Sequence, residues 1–195
     1  VGDVTNTLGE NLLKLWLIAD SVEFTGANVT RWDNLVNNVS VDYDMVPVGT
    51  APNVVDNAVN GHKEISFNNV NDALVSEGTL SAASFPGNEM SMFIVVETDN
   101  LNQDSYAYAT DDSENGAVDA NSVSAAIPNG AGNTVFDLAG DNFSTAYLSG
   151  WAGKHSIFSH IISSDAFRVY RNNNPLVDRA DGNPNFTGHT AYNFY

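Results

Sequence analysis

The run Met90-Ser-Met-Phe-Ile-Val-Val-Glu-Thr98 is the longest nearly unbroken apolar stretch in the chain, and it narrows what the rest can fold into. Nine residues fall well short of the roughly 18 that cross a membrane and of the roughly 12 that an isolated helix needs. Phe93, Ile94, Val95 and Val96 are the residue types of a strand covered on both faces. The run is therefore read as the central strand of a sandwich.

The rest of the chain follows the same syntax. Leu13 to Ala19 alternates Leu13, Leu15 and Leu17 with Lys14, Trp16 and Ile18, which predicts a second well-covered strand with Trp16 in the core. Val29 to Asp33, Glu64 to Phe67 and Ala73 to Val75 are short strand candidates, and Asn60-Gly61 is a tight-turn signal ahead of the second. Asn34 to Asn57, with Pro47 and Pro52, is read as a long surface connection holding one short strand, and Gly78 to Gly87 as a loop with one helical turn. Tyr106 to Thr110, Ser122 to Ile127, Thr134 to Leu138 and Thr145 to Leu148 then recur as strands between turns rich in Asp, Asn and Gly. His155 to Ser163 and Phe167 to Arg171 form the last strong pair, and Asn172 to Pro175 reverses the chain into Leu176-Val177. No segment of 12 or more residues has a 3.6-residue period. The fold class is all-β: a two-sheet antiparallel β-sandwich of jelly-roll type, as one domain over 13–195, with residues 1–12 as an arm or linker.

Charge and cysteine content remove whole classes of function. Seven Lys and Arg against 24 Asp and Glu leave a formal charge of −17, whose field repels nucleic acid and anionic membrane. The absence of cysteine excludes thiol catalysis, zinc-thiolate sites and disulfide bonds together, so the fold stands on packing alone. No run is long enough for membrane insertion by a helix.

The order of signals resembles the concanavalin A-like sandwich, specifically its laminin-G-like branch in bacterial secreted and surface proteins. The resemblance is carried by LKLWLIAD at 13–20, VTRWDN at 29–34, ISFNNVNDAL at 65–74, MFIVVE at 92–97 and FRVYRNNNPL at 167–176. In the last of these, Asn173 or Asn174 stands where the family has glycine. The resemblance also implies a further strand after Phe186-Thr187-Gly188, so the expected sandwich lacks its final strand. An open sheet edge of that kind would pair with another chain or with a continuation of this one, a disordered tail being the alternative.

Hydrolases of this fold carry Glu-X-Asp-X-X-Glu along one strand; here Glu97-Thr-Asp99-Asn-Leu-Asn102 ends in an amide, which cannot serve as the acid. Asp111, Asp112 and Glu114 crowd carboxylates into one loop and are the candidate calcium ligands, without the spacing of an EF-hand. Asp72 is expected to fix a turn rather than bind metal. His155 and His160, five apart on one strand, face opposite sides and cannot chelate together. Of the three tryptophans, Trp151 lies in a Gly-rich loop and is the candidate for stacking on a sugar, with Tyr106 and Tyr108 on one face as further ligand-binding candidates.

The expected function is a non-catalytic binding or adhesion module, extracellular, on a cell surface or on a virion surface, with a glycan or protein as ligand and no required cofactor. A structural subunit of a surface fibre or viral particle is the alternative, and a glycan-degrading enzyme the third reading.

Overall fold

A computed structural model describes residues 13–36, 43–68, 71–78, 89–98, 106–111, 123–128, 132–138, 141–146, 149–163, 166–179 and 193–194. The chain forms two compact units, one over Val1–Thr79 together with Tyr195 and one over Leu80–Phe194. The described elements are strands and short 3-10 turns, as the absence of helical periodicity predicts.

The first unit is an antiparallel six-stranded sheet built from β1 (Val22–Thr25), β2 (Asn28–Trp32), β3 (Met45–Gly49), β4 (Asn53–Val59), β5 (His62–Ser66) and β6 (Asp72–Ser76). Its path runs β5-β4-β2-β3-β6, with β1 paired to β2. Asn60 and Gly61 join β4 to β5 with φ of 51° and 85°, the two left-handed residues that a tight hairpin requires. Asp72 fixes a turn as expected, its carboxylate accepting the Asn68 N–H at 2.9 Å.

Two expectations fail in this unit. The 13–18 segment is not a strand, and Trp16 is 43% exposed rather than in the core. It is held by the 34–35 stretch instead: Asn34 Oδ1 accepts the Trp16 N–H at 2.9 Å, Asn34 Nδ2 donates to the Lys14 carbonyl at 3.1 Å, and the Leu35 N–H donates to the Trp16 carbonyl at 2.9 Å. Apolar residues at both parities describe an extended backbone equally well with or without a neighbouring strand. The 34–57 stretch holds β3 and most of β4, and Tyr43 and Met45 are buried; its Asn and Pro content masked this.

Arg31 ties the unit together. Its guanidinium bonds the carboxylates of Asp44, Asp33 (3.2 Å) and Glu77 (2.7 Å), which belong to three separate stretches of chain. Asp44, nearly buried, also accepts the Asn34 N–H at 2.6 Å. A planar fork of donors suits such convergence, and a lysine would not reproduce it. Beside it, Trp32 donates its indole N–H to the Ile18 carbonyl at 2.7 Å. At the surface, the Lys63 N–H (2.9 Å) and the His62 ring (2.5 Å) both bond Asp20, and these bonds hold its carboxyl below the usual value.

The second unit is the sandwich. One sheet runs β14-β13-β12-β7, from β7 (Met90–Val96), β12 (Ser156–Ser163), β13 (Ala166–Arg171) and β14 (Asn174–Arg179). The other runs β11-β10-β9-β8-β15, from β8 (Tyr106–Asp111), β9 (Val123–Ala126), β10 (Asn133–Leu138), β11 (Asp141–Ala146) and β15 (Asn193–Phe194). Rings meet between the layers: Phe136 of β10 lies 6.4 Å from Phe158 of β12, and Phe143 of β11 lies 4.8 Å from Phe167 of β13, centroid to centroid. Tyr108, Phe136, Phe158, Ile162, Phe167 and Val169 are buried there, as facing stripes of two sheets should be.

The position of β7 is a correction. Among the described residues it is the last strand of its sheet, not a central one, and it is covered on one face only. Phe93 and Val95 are 68% and 64% exposed, and Ile157, which opposes Val95 on β12, is 50% exposed. The inner parity (Met90, Met92, Ile94, Val96) and the outer parity are both apolar, so residue type alone indicated two covered faces.

Candidate functional site

The strand register brings one group of side chains to a single end of the four-stranded sheet. Ser156 pairs with Val96, so the residues just beyond that pair, His155 and Glu97, are neighbours, and the His155 ring lies 2.6 Å from the Glu97 carboxylate. Phe158 pairs with Arg171 at the last position of β13, which directs Arg171 along the inner side and past the end of the strand. Asn172 follows it and is locked to β12, donating its N–H to the Ile157 carbonyl and accepting the Ile157 N–H on its side chain, both at 2.8 Å.

A turn closes over this end. Ser149–Trp151 is a single 3-10 turn, continued by Gly153 at φ 64°. The Gly153 N–H reaches the Thr98 carbonyl at 3.1 Å, tying the turn to the exit of β7, and Lys154 Nζ folds back to the Gly150 carbonyl at 2.7 Å. These bonds place the part-exposed Trp151 ring against Arg171, whose guanidinium carbon stands 4.3 Å from the ring centroid. At that separation the cation meets the electron-rich face of the indole. Arg171 Nε is buried with no hydrogen-bond partner among the described residues.

Deeper in the same unit, the Tyr108 hydroxyl is hydrogen-bonded to His160 Nδ1, and the Phe136 ring stands edge-on to His160 at 4.5 Å. His160 Nε2 has no hydrogen-bond partner among the described residues. Burial drives the His160 pKa down to about 3 and raises that of the Tyr108 phenol. Both side chains are buried.

The candidates read from the sequence are thus dispersed. Trp151 is part-exposed at the sheet end. Tyr108 is buried, so its ring is withdrawn from any ligand-facing surface. The alternation that put Tyr106 and Tyr108 on one face is broken by a shift of register between them, and the Tyr106 side chain lies outside the described residues. Asp111 ends β8 with only its backbone described, while Asp112 and Glu114 lie outside the described residues. His155 and His160 do face apart: the first is exposed on Glu97, the second buried on Tyr108. Glu97 falls just past β7, and Asp99 to Asn102 lie outside the described residues. Sequence reasoning passed over Arg171; the available signal was an arginine in FRVYR at inward parity, the same as Phe167 and Val169.

No family model matches the chain, and no curated protein matches it. Among solved structures, a carbohydrate-binding module, CBM66 from Bacillus subtilis, aligns with a TM-score of 0.41 at 11% identity, covering 77% of this chain and 85% of that one. LamAcat from Zobellia galactanivorans aligns with a TM-score of 0.41 at 10% identity, covering 85% of this chain and 68% of that one. A LamA variant from the same organism, in complex with laminaritriose and laminaritetraose, aligns with the same values. At this level of likeness, no ligand or reaction carries over from these proteins to this chain.

Proposed function

We propose that the protein is a non-catalytic binding or adhesion module of a secreted or surface-exposed protein, and that its ligand is a glycan met at the Trp151 end of the four-stranded sheet. The observation that carries this reading is the Trp151–Arg171 stack. An aromatic ring offers an apolar plane to the apolar face of a sugar, and a ring already fixed by a cation and a hydrogen-bonded turn has less freedom to lose on binding. Among the described residues of this sheet end the carboxylate is Glu97, engaged by His155, where glycoside hydrolysis needs two with distinct roles. On a panel of neutral and acidic glycans, the purified chain is expected to bind a subset, and Trp151→Ala to weaken that binding tenfold or more, about 1.4 kcal/mol, with its melting temperature near that of the parent. Silence across the panel, or retention by the variant, removes the reading.

A second reading, a structural subunit, is favoured by the exposed stripe of Phe93, Val95 and Ile157. Met90–Val96 holds no charge in a chain of −17, so like-charge repulsion between copies is weakest along it. On this reading the chain sediments as an ordered multimer at high concentration, and Phe93→Ser together with Val95→Thr returns it to the monomer. A monomeric parent at the highest soluble concentration dismisses it.

A further inference from the structure

We infer that the site at the Trp151 end is built for a singly charged anionic sugar, one bearing a carboxylate or a sulfate ester, with Arg171 as the residue that recognises the charge. This rests on the glycan-binding reading above and names the class of glycan.

Seven basic residues must serve the whole chain, and acidic partners outnumber them more than threefold. Under such an excess an arginine is expected to have a carboxylate beside it. Arg31 has three and Arg168 has Asp178 at 3.1 Å. Arg171 has none among the described residues: its guanidinium rests on Trp151, and its buried Nε meets no acceptor. An unmatched buried donor on a charged group is unfavourable by about 1–3 kcal/mol, and such exceptions in folded proteins call for an explanation. An oxyanion seated against the part-exposed guanidinium offsets that cost through its charge, because the planar fork of an arginine takes two oxygens of one carboxylate or sulfate at once.

The surroundings agree. Lys154 is held on the same turn, its Nζ at the Gly150 carbonyl, which puts a second cation on the turn that carries Trp151. The stretch from Lys154 to Arg179 carries four basic residues against two acidic ones in a chain of −17, and the Glu97 carboxylate at the same sheet end is engaged by His155. The two scales of charge then select differently. At about 0.15 M salt, screening acts over roughly 8 Å, so a ligand seated at the site meets the local cations more than the distant carboxylates. A long polyanion extends beyond that range and meets the acidic remainder. An isolated anionic residue is favoured over a densely charged chain. Trp151 supplies the plane for the sugar ring and Arg171 the fork for its charge.

The test uses the purified chain on matched oligosaccharides: neutral, carrying one uronate, carrying one sulfate, and polysulfated. Binding is expected on one or both singly charged arms, at least tenfold tighter than on the neutral parent sugar. The uronate and sulfate arms tell the two oxyanions apart. Arg171→Lys, which keeps the charge and the stem but loses the fork, is expected to weaken binding tenfold or more while circular dichroism and melting temperature stay near the parent's. If that variant unfolds, Lys154→Gln, on an exposed side chain, is expected to weaken the same arm severalfold. Preference for the neutral sugar, or indifference to the soluble one of these variants, overturns the inference and leaves the glycan reading standing. Preference for the polysulfated arm also overturns it. Silence on every arm defeats both.

Discussion

Acidification from pH 7 to pH 4 is expected to remove about 3 kcal/mol of stability through a single side chain, His160. Its folded pKa is held down to about 3 from an ordinary 6.5, because charging the ring inside the sandwich would strip it of water. Above pH 6.5 the ring is neutral folded and unfolded, and its contribution is complete. Between 6.5 and 3 the unfolded chain takes up a proton that the folded chain refuses, so stability falls as pH falls, and the loss levels off below about 3. The neighbours offer no relief: Met92 and Val169 flank His160 in the sheet, Phe136 faces it, and Tyr108 is the titratable group in contact, itself pushed toward the neutral form. Asp20 acts in the same direction only at lower pH, through its ordinary 3.8 and below. Relief of the −17 self-repulsion near the isoelectric point of 4.1 opposes both, so the diagnostic quantity is a difference between variants. Tyr108→Phe combined with His160→Leu replaces both partners by apolar groups, a change that can be nearly neutral at pH 8. Urea unfolding at pH 8, 6, 5 and 4 should show the parent losing about 3 kcal/mol more than this double variant. Parallel pH profiles would dispose of the buried neutral histidine.

The second large effect concerns Phe136, which is fully buried between the layers against Phe158 and His160. Phe136→Ala is expected to reduce stability by about 3–5 kcal/mol, the sum of lost apolar burial and the cavity left behind. Against a typical total of about 5–15 kcal/mol, that leaves the unit marginal or unfolded at 37 °C. Phe93→Ala removes the same atoms from the outer face and is expected to change the urea midpoint by no more than about 0.5 kcal/mol in equivalent free energy. The contrast between two phenylalanines of one unit measures the packing directly. If the two substitutions cost the same, the layers do not face each other through Phe136.

The contrast also marks where the sequence was readable. Strand existence followed from period and turn chemistry: Asn60-Gly61 and the Asn172 turn lie where their composition puts them, and the pairs Phe167 to Arg171 and Leu176-Val177 form the expected hairpin. The orientation of the strands was not readable. In Ser156–Ser163 one parity holds Phe158, His160 and Ile162 and the other Ile157, Ser159 and Ile161, so hydropathy does not choose, and the buried face proves to be the one with the histidine. The same ambiguity made Met90–Val96 look central. Of the site, Trp151 was visible because glycines flank it, but its partner Arg171 comes from 20 positions later in the chain, and only the register of β12 against β13 brings the two together. Local spacing carries no information about such a pair.

Every non-glycine residue with positive φ among the described residues is an asparagine: Asn57, Asn60, Asn172 and Asn173. An abundance that composition would assign to solubility thus serves the backbone, since this side chain tolerates the left-handed region better than most and bonds nearby main chain while there. Drift at these places is constrained by handedness rather than by polarity. Aspartate would keep the shape but deepen an already large negative charge, glycine would keep the bend but loosen the unfolded chain's competitor ensemble, and any branched residue would lose the bend.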